Sequence, residues 1–267
     1  MAKLSQLEKY YGKFHEENRL GTRHGRVEFE VSMSKILEFI EQIRENRENH
    51  QIRILDVGAG TGRYSVALSH KGFDVTAVEL TKHNFEILRA KHEKVKCWQG
   101  DAQNLHFLEN RTFDLTLVFG PMYHLHTQEE RLCALNEAER VTKSGGFILV
   151  AYVMNDYAIL TYCFREKHIL ESLKNGTISE DFHALTTKEN DLFSYVRLED
   201  VENLDAKTNL KRFGAFAPDG AADYFRKELN ALSEDEFEQF VRYQKTICER
   251  KELLGASSHI VDVLRVK

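Results

Sequence analysis

Apolar and polar positions along the chain follow two rhythms that alternate with each other. Met33, Ile36, Leu37, Ile40 and Ile43 recur at helical spacing, which predicts an amphipathic helix over 32–46, followed by a polar loop over 47–51. Ile52 to Val57 is a short β-branched run of the kind that forms a strand buried on both faces. Gly58, Gly60 and Gly62 follow, and Tyr64 to His70 returns to helical spacing, with Gly72 placed as its C-cap. Phe73–Val78 reads as a second strand, and Thr81 as the cap of a helix running to Lys91. Val95–Gln99 and Phe113–Val118 read as strands three and four. Leu132, Leu135, Ala138 and Val141 form one stripe of a helix over 129–141. A turn at 143–146 then leads into a fifth strand, Phe147–Tyr152. Strand and helix in regular alternation predict an α/β domain with a parallel sheet.

The alternation breaks over 153–206. Tyr157 to Leu173 has helical character, Asn175-Gly176 marks a turn, and Phe182, Leu192, Phe193, Tyr195 and Val196 stand among many acids. Asn209–Ala217 resumes as a sixth strand. Pro218-Asp219-Gly220 is expected to open a helix to Ala231. Ser233 and Glu236 form a capping box for another, running to Leu253. His259–Val266 is the last strand.

Composition narrows the class. The chain has 267 residues and a net charge of −5 with both signs interspersed, which fits one large α/β domain and argues against nucleic acid as its main partner. There is no run of membrane-spanning length and no apolar signal region at the N-terminus. Four scattered cysteines without a C-x-x-C pair imply reduced thiols in the cytoplasm.

The chemistry gathers at Asp56-Val-Gly-Ala-Gly-Thr-Gly62. A dinucleotide fingerprint is G-x-G-x-x-G, but Arg63 occupies the place of its last glycine, and no Walker lysine follows. Glu79 falls at the end of the second strand, where an acid accepts from both ribose hydroxyls and repels a 2′-phosphate. The stretch closely resembles motif I of the class I S-adenosylmethionine (SAM) methyltransferases. Glu-Ala-Glu-Arg-Val-Thr-Lys-Ser-Gly-Gly before the fifth strand is a second mark of that family, with Ser144 where members usually have Pro.

The resemblance implies a doubly wound, mostly parallel sheet of seven strands. Its last strand would lie antiparallel between the fifth and sixth, and the whole chain, 1–267, would be a single domain. It implies SAM as cofactor, with S-adenosylhomocysteine as product, bound by Asp56, Gly58, Ala59, Gly60, Thr61, Gly62, Glu79, Leu80, Asp101, Ala102, Phe119 and Gly120. Leu80 would pack on the adenine and Asp101 accept from its amino group. Asp101 also reads as a turn residue capping 102–105. Residues 1–30, with Tyr10, Tyr11, Phe14 and the Arg-Leu and Gly-Arg-Val-Glu-Phe pieces, match an N-terminal flap, and Tyr11 and Arg26 are candidate substrate contacts. The insertion at 153–206 is where the family often builds a substrate lid.

Gly120-Pro-Met-Tyr-His124 falls beside the methyl group in that fold. Enzymes that methylate nucleobase amines carry Asn or Asp at the position of Gly120, so that chemistry is not expected here. Tyr123 and His124 are the candidate catalytic and acceptor-lining residues, with His124 or His24 as a base for an oxygen acceptor. His124 and His126 have no Cys, Asp or Glu partners nearby in sequence, so no metal is expected. The expected activity is methyl transfer to an oxygen or nitrogen of a small molecule. A nucleic-acid methyltransferase and a non-catalytic SAM-binding regulator are the two other readings.

Overall fold

A computed structural model describes residues 2–13, 21–185 and 192–267. Phe14, the Arg-Leu of the proposed flap and residues 186–191 of the insertion lie outside them. Seven strands form one sheet: β1 (Arg53–Val57), β2 (Asp74–Glu79), β3 (Val95–Gln99), β4 (Phe113–Val118), β5 (Thr142–Val153), β6 (Lys211–Phe216) and β7 (His259–Arg265). Their order is β3-β2-β1-β4-β5-β7-β6. The first five are parallel, and β7 runs antiparallel to both β5 and β6, as the resemblance implied.

Two apolar cores lie on opposite faces, sorted by the two-residue period of the strands. Ile148, Val150 and Tyr152 of β5 and Ile260 and Leu264 of β7 join Leu55 and Val57 on one face. Phe147, Leu149 and Ala151 with Val261 and Val263 join Ile54 on the other. The helix Gln128–Val141 covers the first face through Ala134, Leu135, Ala138 and Val141. The helix Arg23–Arg44 covers the second through Val27, Val31, Ile36, Phe39 and Ile40, joined by Phe237 and Val241 of the helix Glu234–Ile247.

Several boundaries differ from the sequence expectation. The helix expected at 32–46 starts at Arg23, because the Thr22 hydroxyl accepts from the backbone N–H of Gly25 and Val27 already faces the core. The turn expected at 143–146 is the start of β5, which absorbs it as a register shift opposite β4. The helix expected over 157–173 is three pieces: Asn155–Ala158, a π-helical Ile159–Arg165, and Ile169–Asn175. Thr161 Oγ1 donates to the Tyr157 carbonyl at 2.7 Å, a competition that widens the turn, and Lys167 at φ 66° ends it.

Pro218-Asp-Gly does not open a helix. Asp219 spends its carboxylate on β7 and its approach, and the helix begins only at Arg226. The helix from Glu234 stops at Ile247, since the Cys248 carbonyl accepts from Ala217 N at 2.7 Å beside β6.

Candidate functional site

The carboxyl ends of β1, β2 and β4 open onto one cavity of about 390 Å³, within the usual range for small-molecule sites. Asp56, Gly58, Ala59, Gly60, Thr61, Glu79, Leu80, Asp101, Ala102, Phe119 and Gly120 all line it, and so do Tyr11, Tyr123 and His124. Two expected residues do not. Gly62 faces the helix Lys82–Ala90 instead, where a Cβ would meet Leu88 Cδ1 at 2.2 Å, so its glycine serves packing. Arg26 points to Glu234 at 2.8 Å and lies over the Phe237 ring, because its side of the helix faces Glu234–Ile247 rather than the cavity.

The glycine loop is held by one carboxylate. Glu79 Oε2 accepts from Gly60 N at 2.9 Å, and Oε1 accepts from the N–H and hydroxyl of Thr81. Thr81 sits at the N-cap of the next helix as expected, but its hydroxyl is turned to Glu79. The first helical N–H, that of Lys82, is instead capped by Glu8 Oε1 at 2.7 Å from the helix Ala2–Tyr11. Leu4 and Leu7 of that helix reach the cavity. Asp101 Oδ1 accepts from Gln103 N at 2.9 Å, so this residue shapes a turn and also lines the cavity.

Asp56 is buried, receives the Ser65 hydroxyl on Oδ2, and has no hydrogen-bond partner on Oδ1 among the described residues. Burial pushes its carboxyl up to about 6, aided by the Glu79 charge and opposed by Ser65. The folded state therefore holds this proton more tightly than the unfolded chain, and stability is lost as pH rises from about 4 through about 6. Asp56→Asn should raise the unliganded protein's stability by about 2–3 kcal/mol at pH 7.5, the gain shrinking toward pH 4. Denaturant melts at the two pH values check this, and an equal gain at both would assign the effect to packing.

At the other end of the cavity His124 Nδ1 donates to the Leu192 carbonyl at 2.7 Å, which leaves Nε2 to accept from the Tyr11 hydroxyl at 2.8 Å. The first helix and the insertion thus meet on one ring. Ser194 anchors the insertion there: its N–H donates to the Tyr123 carbonyl and its hydroxyl to that of Leu125, and Arg131 Nη2 donates to its Oγ. The Phe193 ring packs on those of Tyr123 and His124, with centroids at 6.0 and 5.1 Å.

Among the polar cavity residues that the sequence did not single out are Ser32, Asn84 and His259, and Glu28 stood there only as part of the Gly-Arg-Val-Glu-Phe piece. The His259 ring lies 6.4 Å from that of Tyr123, and Asp219 grips it at 2.7 Å. Nothing in a Pro-Asp-Gly turn and the first residue of an apolar run links these two, 40 positions apart. His24 does not line the cavity and sits 3.9 Å from Asp223.

Comparison with known proteins bears on one stretch of the sequence and on the fold. Residues 54–146 match the methyltransferase-domain family. Solved structures share the fold along the whole chain: the CcbJ methyltransferase of Streptomyces caelestis (TM-score 0.57, 14% identity, 99% of this chain and 97% of that one) and a SAM-dependent methyltransferase of Thermotoga maritima (0.53, 20%, 99% and 100%). Residues 54–146 carry a methyltransferase domain, in a fold that these structures share. Within it, the demethylmenaquinone methyltransferase of Renibacterium salmoninarum is 35% identical over 99 residues, 37% of this chain and 40% of that one. The glycine/sarcosine N-methyltransferase of Aphanothece halophytica is 30% identical over 131 residues, 47% and 49% of the two chains. The match thus spans less than half the length of these curated relatives.

Proposed function

We propose that the protein is a SAM-dependent methyltransferase that moves a methyl group onto a nitrogen or oxygen atom of a small molecule. The observation that carries this is the continuity of one cavity from the Gly58–Gly60 loop and Glu79 to Tyr123, His124 and His259. It has a place for a nucleoside at one end and for an acceptor at the other. Relatives named for demethylmenaquinone and for glycine and sarcosine support a small acceptor.

The residues present fit SAM. Asp56 brings a buried oxygen that lacks a donor, Gly58 and Gly60 turn the backbone toward the cavity at φ 78° and 56°, and Glu79 stands where ribose hydroxyls would donate. Leu80 and Asp101 would take the adenine, and Phe119 and Gly120 the region of the sulfur. SAM supplies an electrophilic methyl group, whose carbon bonds to the acceptor lone pair as the C–S bond breaks and sulfur keeps the electron pair. The protein's share is to align acceptor and methyl, which supplies much of the rate, and to exclude water.

In the same reading Tyr11 and the 192–194 segment close the acceptor end over His124, the first helix serving as flap and the 153–206 insertion as lid. Tyr123 and His124 line the acceptor. His124 orients rather than deprotonates, since Nε2 is already taken by the Tyr11 hydroxyl. Among the described residues no helix is long and apolar enough to cross a membrane, and Cys97, Cys133, Cys163 and Cys248 are free. We place the protein in the cytoplasm on the thiols.

Calorimetry with SAM and NAD, followed by a labelled-methyl assay on a small-metabolite extract, tests the proposal. SAM should bind, NAD should not, and S-adenosylhomocysteine should accumulate only when the extract is present. Tighter binding of NAD, or label entering nuclease-sensitive material, would overturn it.

A further inference from the structure

We infer that Asp205 and Asp262 share a single proton, and that this proton fastens the end of the 153–206 insertion to the sheet. Neither residue lines the cavity, and the inference does not depend on the methyl-transfer reading.

The pair arises from the strand period. β7 turns Ile260, Asp262 and Leu264 to one face of the sheet, where Ile260 and Leu264 belong to the apolar core. Asp262 enters that core with them and is fully buried. The helix Leu198–Asp205 ends the insertion and covers the same face through Val201 and Leu204. Its last residue, Asp205, is 7% exposed. One guanidinium joins the two acids. Arg212 Nε, from β6, lies 2.7 Å from Asp262 Oδ1 and 3.4 Å from Asp205 Oδ2, and Nη1 lies 2.7 Å from Glu202 Oε1.

Three carboxyl groups thus meet one guanidinium, and two of them are buried. A buried carboxylate without a compensating charge is strongly unfavourable, so one of the two keeps its proton. The hydrogen bonds show where that proton is needed. Arg212 Nε donates to Asp262 Oδ1, but Asp262 Oδ2 and both oxygens of Asp205 have no hydrogen-bond partner among the described residues. A proton on Asp205 supplies Asp262 with the missing donor.

The surrounding groups do not replace it. Tyr152, on β5, is buried, and burial together with the charges of Asp262 and Asp205 pushes its hydroxyl well above the ordinary value, so it stays neutral. Arg131, from the helix Gln128–Val141, acts on Tyr152 and donates to the Leu125 carbonyl and to Ser194 Oγ. Glu202, on the helix's exposed side, only adds negative charge. Burial, then the charge of Asp262 and the bond to it, push the Asp205 carboxyl up to about 8 against the pull of Arg212. Burial raises Asp262 as well, opposed first by Arg212. The two titrate as one unit. The folded state therefore holds the proton more tightly than the unfolded chain, and the attachment weakens as pH rises from about 4 through about 8.

The place of the pair gives the proton its consequence. The helix Leu198–Asp205 follows directly on the 192–196 segment. That segment holds the Tyr123 carbonyl through Ser194 N, the Val153 carbonyl through Val196 N, and the His124 ring through the Leu192 carbonyl. Loosening the helix loosens the segment, so pH sets how firmly the insertion is held against the His124 ring.

Amide hydrogen exchange of 192–205 in the full-length protein, corrected for the intrinsic rate and followed from about pH 5 to about pH 9, tests this. Protection should fall up to about tenfold per pH unit and level off above about 8. Asp205→Asn keeps a donor for Asp262 and cannot ionise, so this slope should vanish over 192–205. An unchanged slope in Asp205→Asn would overturn the shared proton. An equal slope over β1 to β4 would assign the effect to the whole fold and overturn the local fastening. Infrared difference spectra give a second readout that needs no variant. At pH 7 the parent protein should show the carbonyl stretch of a protonated carboxylic acid, and the band should disappear on titration through about 8. Absence of that band would overturn the proposal even if Asp205→Asn does not fold.

Discussion

Gly58→Ala should cost SAM affinity at least about tenfold while the protein still folds. Gly58 has φ +78°, which an L side chain rarely adopts, and its Cβ would lie 2.5 Å from Pro121 Cδ and 3.1 Å from the Phe119 carbonyl. Strain of this kind costs about 1–3 kcal/mol, and each 1.4 kcal/mol is about tenfold in affinity. Neither neighbour yields easily. The proline ring is rigid and opens the 3₁₀ turn Pro121–His124, so relief of the clash would push that turn outward and carry Tyr123 and His124 with it. The variant should therefore lose turnover further than SAM affinity alone accounts for. Calorimetry and a saturation series in SAM separate the two losses. SAM affinity within twofold of the parent protein would show that the glycine loop does not meet the cofactor.

Glu79→Ala should lower both stability and SAM affinity, and the companion Glu79→Gln should separate them. The carboxylate, 6% exposed, ties Gly60 N and Thr81 N into place across the cavity floor. Truncation leaves two backbone donors without their acceptor, at about 1–3 kcal/mol each where water cannot replace it. With SAM bound as proposed, it would also remove charge-assisted bonds to the ribose hydroxyls, each worth roughly 1.5–3 kcal/mol. Affinity should fall tenfold or more, with a lower melting temperature. Glutamine keeps the volume and one acceptor, so it should recover most of the stability and little of the affinity. An Ala variant with parental SAM affinity would make Glu79 a purely structural residue.

Sequence alone determined the fold and placed the glycine loop, Glu79 and Asp101 at the strand ends that open onto the cavity. Short β-branched runs separated by helical stripes have few ways to bury both faces, and the strand–glycine–helix unit with Glu79 at the next strand end marks one end of the cavity locally. Every residue of that end lies within a few positions of a strand terminus, where the local pattern places it. Gly62 shows the limit: its spacing matched the motif, but only the approach of Leu88 tells that it serves packing.

The tertiary structure decided which residues meet at the other end of the cavity. Tyr11, Glu28, Leu192, Asp219 and His259 come from five separate stretches, and no periodicity relates them. Arg26 and Glu28 stand two residues apart on one helix, about 200° around its axis. One meets Glu234 and the other the cavity, and only the packing of that helix fixes which is which. Likewise Asp219 resembles a turn residue until β7, inserted antiparallel between β5 and β6, brings His259 to it. Local sequence encodes local geometry. A histidine and the carboxylate that grips it across 40 residues are specified only when the sheet closes.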